Sequence, residues 1–107
     1  MQVSNPSPDQ LDALASASED AARLLRAMGH GARLRILCVL LQGELPSGEI
    51  ARQVGIREPA ASQQLALLRA ERLVETRREG QKALYSVANP IVLRILKELQ
   101  AAFCPAP

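Results

Sequence analysis

The sequence predicts a mainly α-helical domain with one β-hairpin, in the order α-α-α-α-β-β-α. Three observations lead there. Apolar side chains recur at helical spacing in separate stretches before residue 74 and again after residue 90. Between residues 74 and 87 the period shortens to alternation around Glu79-Gly80. Aromatics are almost absent, one Tyr, one Phe and no Trp in 107 residues, so the core must be built from Leu, Ile, Val and Ala. A chain of this length suits a single domain with a modest core.

Residues 1–6 are expected to be disordered, with one domain over residues 7–107. Ser7-Pro8-Asp9-Gln10 reads as a helix start, Ser7 as N-cap, Pro8 at the first position and Gln10 placed for a capping box. Leu11, Leu14, Ala21, Leu25 and Met28 give this first helix a thin apolar stripe, which Gly29-His30-Gly31 ends. The second helix, about Ala32 to Gln42, is apolar nearly all round, as a helix at the centre of a domain is, and Gly43 stops it.

The stretch from Leu45 to Val74 then reads as a short helix, a turn at Gly55 and a longer helix ending near Arg72. Ile50, Ala51 and Val54 bury one face of the short helix; Ala61, Leu65 and Leu68 do the same for the longer one. The opposite face of the longer helix begins with Arg57, Ser62, Gln63 and Gln64. Two helices joined by a Gly-bearing turn form a helix-turn-helix, and amides and hydroxyls are the groups that read base edges in the major groove. Val74 to Arg77 and Lys82 to Val87 form the hairpin, with Arg77, Arg78 and Lys82 around its tip. A basic hairpin directly after a helix-turn-helix is a wing.

Asn89 and Pro90 start the last helix as N-cap and first residue; Val92, Leu96, Leu99 and Phe103 form its stripe, and Pro105 stops it after Cys104. The fold class is therefore a winged helix-turn-helix flanked by terminal helices. Both terminal helices carry apolar stripes beyond what so small a domain covers alone. A homodimer through the first and last helices is the expected outlet, and it would set two recognition helices on successive major grooves.

The net charge is only +2, but it is unevenly spread. Residues 1–29 carry two Arg against four acids, and residues 30–107 carry eleven basic against seven acidic side chains. The basic part contains the helix-turn-helix and so suits a phosphate-facing surface, with double-stranded operator DNA as the expected partner. No stretch reaches the ~20 apolar residues of a membrane span. MQVSNPSPDQ has neither the positive nor the apolar region of a signal peptide, so a cytoplasmic protein is expected. Two Cys in such a compartment are more readily reactive or metal-bound than a structural disulfide.

The run from Leu25 to Pro90 resembles the ArsR/SmtB family of small bacterial winged-helix repressors. The resemblance is carried by Ala27-Met28-Gly29-His30-Gly31, Gly48-Glu49-Ile50-Ala51, Ser62-Gln63-Gln64-Leu65, and the hairpin Arg77-Arg78-Glu79-Gly80-Gln81 followed by Leu84-Tyr85-Ser86-Val87. It covers roughly residues 21–104. Departures are Gln64 where many relatives have His, Arg57 where a Ser would cap the recognition helix, and Pro46 where a Ser precedes the third helix, leaving Ser47 to cap it.

Family resemblance makes metal sensing the first effector to test. The Cys-x-Cys of thiol-rich metal sites is missing from the third helix, and the last helix, IVLRILKELQAAFC, has neither His nor Asp. His30 is the single His, and two Cys with one His fall short of a closed four-ligand zinc site, although two thiols could hold copper(I). Read by itself, Cys38 on a stripe with Leu34, Leu37 and Leu41 would pack as a small hydrophobe. One Cys in an Ile-Leu-Cys context and one near the end of the last helix, however, resemble the sulfide-responsive SqrR- and BigR-type branch. That resemblance implies that Cys38 and Cys104 are sensing thiols. Organic persulfides would join them within one subunit through a chain of sulfur atoms and lower DNA affinity. A direct disulfide needs Cα atoms within ~4.4–6.8 Å, so a pair held further apart would favour a longer bridge.

The DNA-contacting residues expected are Ser62, Gln63 and Gln64 at the bases or groove, with Arg57, Arg77, Arg78 and Lys82 at phosphates or the minor groove. No catalytic residue, metal site or cofactor is expected. A metal-responsive repressor and a winged-helix protein-interaction module stay open as alternatives. An enzyme is disfavoured: neither Cys has a base beside it in sequence, and there is no Gly-rich phosphate loop.

Overall fold

The computed structural model describes residues 5–104. The disordered segment expected over 1–6 falls partly, and Pro105 wholly, outside the described residues. The capping box forms as the sequence predicts: Gln10 N–H donates to Ser7 Oγ (3.2 Å) and Ser7 N–H to Gln10 Oε1 (2.7 Å), starting helix α1, Pro8–Ser16.

The single first helix is corrected to two. Ala17 (φ −91°, ψ 2°) separates α1 from α2, Ser18–Gly29. Ser16 Oγ donates back to Asp12 O at 3.0 Å, a bond that competes with the helical ladder and bends it. Backbone bonds from Ala17 to Ala13 and from Ala21 to Ala17 still cross the break. Of the expected stripe, Met28 is buried and Ala21 half-buried, whereas Leu11, Leu14 and Leu25 are 50%, 61% and 56% exposed.

His30 is extended and caps α3, Gly31–Val39, through its backbone alone. A 3-10 turn, Leu40–Gln42, continues α3 to Gly43, whose φ of 121° ends it. The second helix is less enclosed than its composition suggests: Ile36, Leu37 and Leu40 are buried, while Cys38 is exposed. Cys38 is therefore not the core residue its stripe with Leu37 would make it.

Leu45–Pro46 forms a strand, β1, that the sequence reading missed. Two residues, one of them Pro, give no periodic signal, and Pro is tolerated at this edge. Next come α4, Ser47–Val54, and α5, Glu58–Ala70, joined at Gly55, which takes the left-handed conformation (φ 81°) that ends α4. Ser47 does not cap α4. It lies inside the first turn, and its Oγ donates to Glu58 Oε1 at 3.1 Å, tying the two helices together. At Arg57 no side chain caps α5, but Pro59 and Glu58 occupy its first turn, where a fixed φ and a negative charge suit the helix start.

Strands β2, Val74–Glu79, and β3, Lys82–Val87, pair antiparallel, and β1 joins the far side of β3, so the sheet order is β1-β3-β2. Glu79 pairs with Lys82, which moves the turn to Gly80-Gln81 from the expected Glu79-Gly80. Gly80 has φ 62° at the first central position, the pattern of a type II′ hairpin turn. Asn89 Oδ1 accepts from Ile91 N–H (2.8 Å) at the start of α6, Pro90–Phe103. Ile36, Leu37, Ile50, Leu65, Leu68 and Leu96 meet in the core, fully buried. Phe103, at the far end of α6, is 80% exposed. No helix among the described residues is long and apolar enough to cross a membrane.

Candidate functional site

Between α3 and α6 lies a cavity of about 550 Å³, lined by Leu34, Cys38, Leu41, Gln42, Leu96, Leu99, Gln100, Phe103 and Cys104. The two cysteines, remote in sequence, line one space. Cys38 reaches it from the last turns of α3, and Cys104 from the residue that follows α6. Both are free thiols. Although Cys38 is exposed overall, partial desolvation by the apolar walls pushes its thiol above the ordinary cysteine range, and the negative charge of a Cys104 thiolate raises it further. Such a thiol is held in its protonated form until a reagent or a partner sulfur draws it out.

Gln42 connects this cavity with the helix-turn-helix, a connection sequence reasoning missed. Its Nε2 donates to Val39 O (3.0 Å) and to Gln53 Oε1 on α4 (2.6 Å), and Gln53 Nε2 donates to Glu49 Oε1 (2.9 Å). Arg52 and Gln53 together pull the Glu49 carboxyl down to about 2, with the Arg52 hydrogen bond the larger cause. Nothing in the sequence singles out Gln42, a polar residue before a helix-ending Gly; only the tertiary approach of α3 to α4 does.

On the other side of α4, the outward face of α5 presents Ser62 and Gln63, both exposed, with exposed Ala66 and Leu67 beyond them. Gln64 is placed differently. It is half-buried, and its Oε1 is enclosed without a hydrogen-bond partner. Arg57 is exposed at the start of α5, where side chain and helix dipole both favour an anion.

In the hairpin, Arg78 and Lys82 are exposed at the tip, with Arg78 Nη1 donating to Gln81 O (3.2 Å). Arg77 is already engaged: its Nε meets Glu44 Oε2 at 2.6 Å and its Nη2 meets Glu79 Oε2 at 2.9 Å. Glu44 precedes β1, so this pair ties the hairpin to the loop entering the helix-turn-helix, and the sequence reading missed it. A second tie, Arg23 to Glu71 through two hydrogen bonds of 2.9 and 3.2 Å, joins α2 to the end of α5. Among the described residues no three His, Cys, Asp or Glu side chains gather as metal ligands would.

This geometry has close counterparts. Residues 30–76 match the family model described as bacterial regulatory protein, arsR family. The chain is 39% identical over 94 residues to the biofilm growth-associated repressor of Agrobacterium fabrum, covering 88% of this chain and 80% of that protein. It is similar to the structure of reduced HlyU from Vibrio cholerae, with a TM-score of 0.81 at 37% identity over 86% of this chain and 97% of that one. A winged helix-turn-helix fragment from Mycobacterium bovis, described as homodimeric, gives a TM-score of 0.71 at 33% identity over 94% of this chain and 89% of that one.

Proposed function

The chain belongs to the arsR family of DNA-binding transcriptional regulators, and from that premise we propose that it is an operator-binding repressor released when Cys38 and Cys104 are joined through sulfur. One observation carries the reading: two thiols from different helices line one apolar cavity, between a central helix and the terminal helix.

Ordinary thiol exchange supplies the chemistry. One cysteine thiolate attacks the outer sulfur of an organic persulfide RSSH, expels RS⁻ and becomes a cysteine persulfide. Its terminal sulfur attacks the carbon-bound sulfur of a second RSSH and expels HS⁻. The other cysteine attacks the middle sulfur and expels RS⁻. Two thiols and two RSSH thereby give a trisulfide, two RSH and one H₂S, and each further sulfane sulfur lengthens the bridge. Cys104, exposed at the end of α6, is the better placed first nucleophile. Cys38, exposed as well but desolvated by the neighbouring apolar side chains so that the neutral thiol is favoured, closes the bridge.

In the reduced state, Ser62 and Gln63 read base edges, while Arg57, Arg78 and Lys82 hold phosphates. Gln64 contributes through its amide NH₂ group, since its oxygen is enclosed. Arg77 contributes when phosphate displaces Glu44. Two copies join through the exposed apolar residues of α1, α2 and α6, namely Leu11, Leu14, Leu25, Ile91 and Phe103, and dimerisation sets the spacing of the two α5 helices. A bridge draws the end of α6 toward α3. It thereby strains both the dimer face and the Gln42–Gln53 contact to α4. A coupling of about 1–3 kcal/mol suffices for a five- to 150-fold loss of DNA affinity.

Intact mass of the reduced protein after treatment with an organic persulfide tests the bridge. A gain of sulfur with loss of two hydrogens, absent in Cys38→Ser and in Cys104→Ser, is expected. Loss of two hydrogens alone would identify a disulfide-forming oxidant sensor. An unchanged mass would return both cysteines to a passive role.

A further inference from the structure

We infer that Leu67 is a base-reading residue that selects thymine by covering its 5-methyl group in the major groove; this rests on the reading of α5 as the helix that enters that groove. Leu67 is 46% exposed, although Ala61, Leu65 and Leu68 on the opposite face of the same helix are completely buried. It follows Gln63 by one helical turn, so the two side chains share the outward face, with exposed Ser62 and Ala66 beside them. The inward face of α5 meets α3, α4 and β2, and the outward one is left open. The other large exposed apolar residues, Leu11, Leu14, Leu25, Ile91 and Phe103, lie on α1, α2 and α6, the helices assigned above to dimer contact. Leu67 belongs to none of those helices.

The chemistry of the face suits bases better than water. A helix surface turned to solvent ordinarily carries charge, and 22% of this chain is charged, yet no charged residue stands between Glu58 and Arg69. Arg57 before the first turn and Arg69 in the last turn are both exposed, so positive charge is confined to the two ends of α5. A major groove is arranged in the same way, with phosphates along its rims and base edges on its floor. On that floor the thymine methyl is the one apolar group, and the hydrogen-bonding edges are left to Ser62 and Gln63. A residue four positions on stands about 6 Å further along the helix axis, under two base-pair rises of about 3.4 Å each. Leu67 therefore addresses a base pair near the one Gln63 reads, not the same one. Covering one methyl group with an apolar side chain favours binding by about fourfold.

The test begins with the reduced protein and a pool of duplexes of random central sequence, from which repeated binding selects a site. Each thymine of that site is then replaced singly by deoxyuridine, which keeps every hydrogen-bonding group of the base and removes only the methyl. At one thymine of each half-site the replacement should weaken wild-type binding by about fourfold. Leu67→Ala shortens an exposed side chain and leaves the core intact. It should bind the thymine duplex more weakly and lose the response to that replacement, whereas Leu67→Met should keep both affinity and response. Gln63→Ala should bind more weakly but still respond to the methyl. A site in which no thymine methyl matters, or a methyl effect of equal size in Leu67→Ala, would overturn the inference and leave α5 as the reading helix. Equal weakening of Leu67→Ala on selected and random duplexes would also overturn it, by assigning Leu67 to a contact without sequence information. Failure of the pool to yield any preferred sequence would overturn the DNA-reading role of α5 as well.

Discussion

Single side chains decide whether this molecule can sense anything. Cys38 follows the fully buried Leu37 by one residue, yet it faces a cavity and not the core. Helical spacing left those outcomes open, because Cys38 lies between apolar Leu34 and Leu41 on one side and Arg35 and Gln42 on the other; the position of α6 decides what it faces. The thiol should therefore behave as a partly desolvated but accessible group whose environment is shared with Cys104. Alkylation of Cys38 followed against pH should show its rate rising at higher pH than for a free cysteine. Cys104→Ser should bring that rise to lower pH, because the neighbouring thiolate charge is gone while burial remains. A profile identical in both proteins would mean that the two sulfurs do not feel one another.

The elements were largely legible. Caps at Ser7 and Asn89, the Gly43 stop, the Gly55 turn and the alternation of the hairpin are local signals, and each appears in the structure. What escaped was set by contacts between elements or by features too short to have a period: strand β1, the break at Ala17, the reassignment of Ser47 from cap to partner of Glu58, and the one-residue shift of the hairpin turn. The ties of Arg77 to Glu44 and of Gln42 to Gln53 belong to the same class, since Glu44, Gln42 and Gln53 are unremarkable in their own segments.

Both ties make predictions at this scale. If Glu44 holds Arg77 away from phosphate, Glu44→Gln should strengthen operator binding and Arg77→Ala weaken it, the latter lowering the slope of log affinity against log salt by about one. Titrations of an operator duplex at several salt concentrations would show it; unchanged affinity in both variants would remove Arg77 from the interface. If the Gln42–Gln53 contact carries the signal, Gln53→Ala should still acquire the sulfur bridge but lose most of the difference in DNA affinity between reduced and bridged forms. A full difference in Gln53→Ala would route the coupling through the dimer face alone.

At the scale of the whole molecule, the exposed apolar residues of the terminal helices ask for a partner. Phe103 at 80% and Leu14 at 61% exposure are poor places for such side chains in an isolated domain. Leu14→Glu combined with Phe103→Glu should convert a dimer to monomers by light scattering, and with them the affinity for a two-half-site operator should fall. A dimer that survives both changes would place the interface elsewhere. Dimer geometry matters because the cavity and the exposed face share α6. A bridge from Cys104 to Cys38 acts on the helix through which two copies would meet.

The most direct measurement is the affinity of one protein preparation for an operator duplex before and after persulfide treatment, with the intact mass of each sample taken in parallel. The account predicts a loss of about fivefold or more in the bridged form, reversed by a thiol reductant and absent in Cys38→Ser and Cys104→Ser. A fully bridged protein that binds the operator as tightly as the reduced one would contradict it.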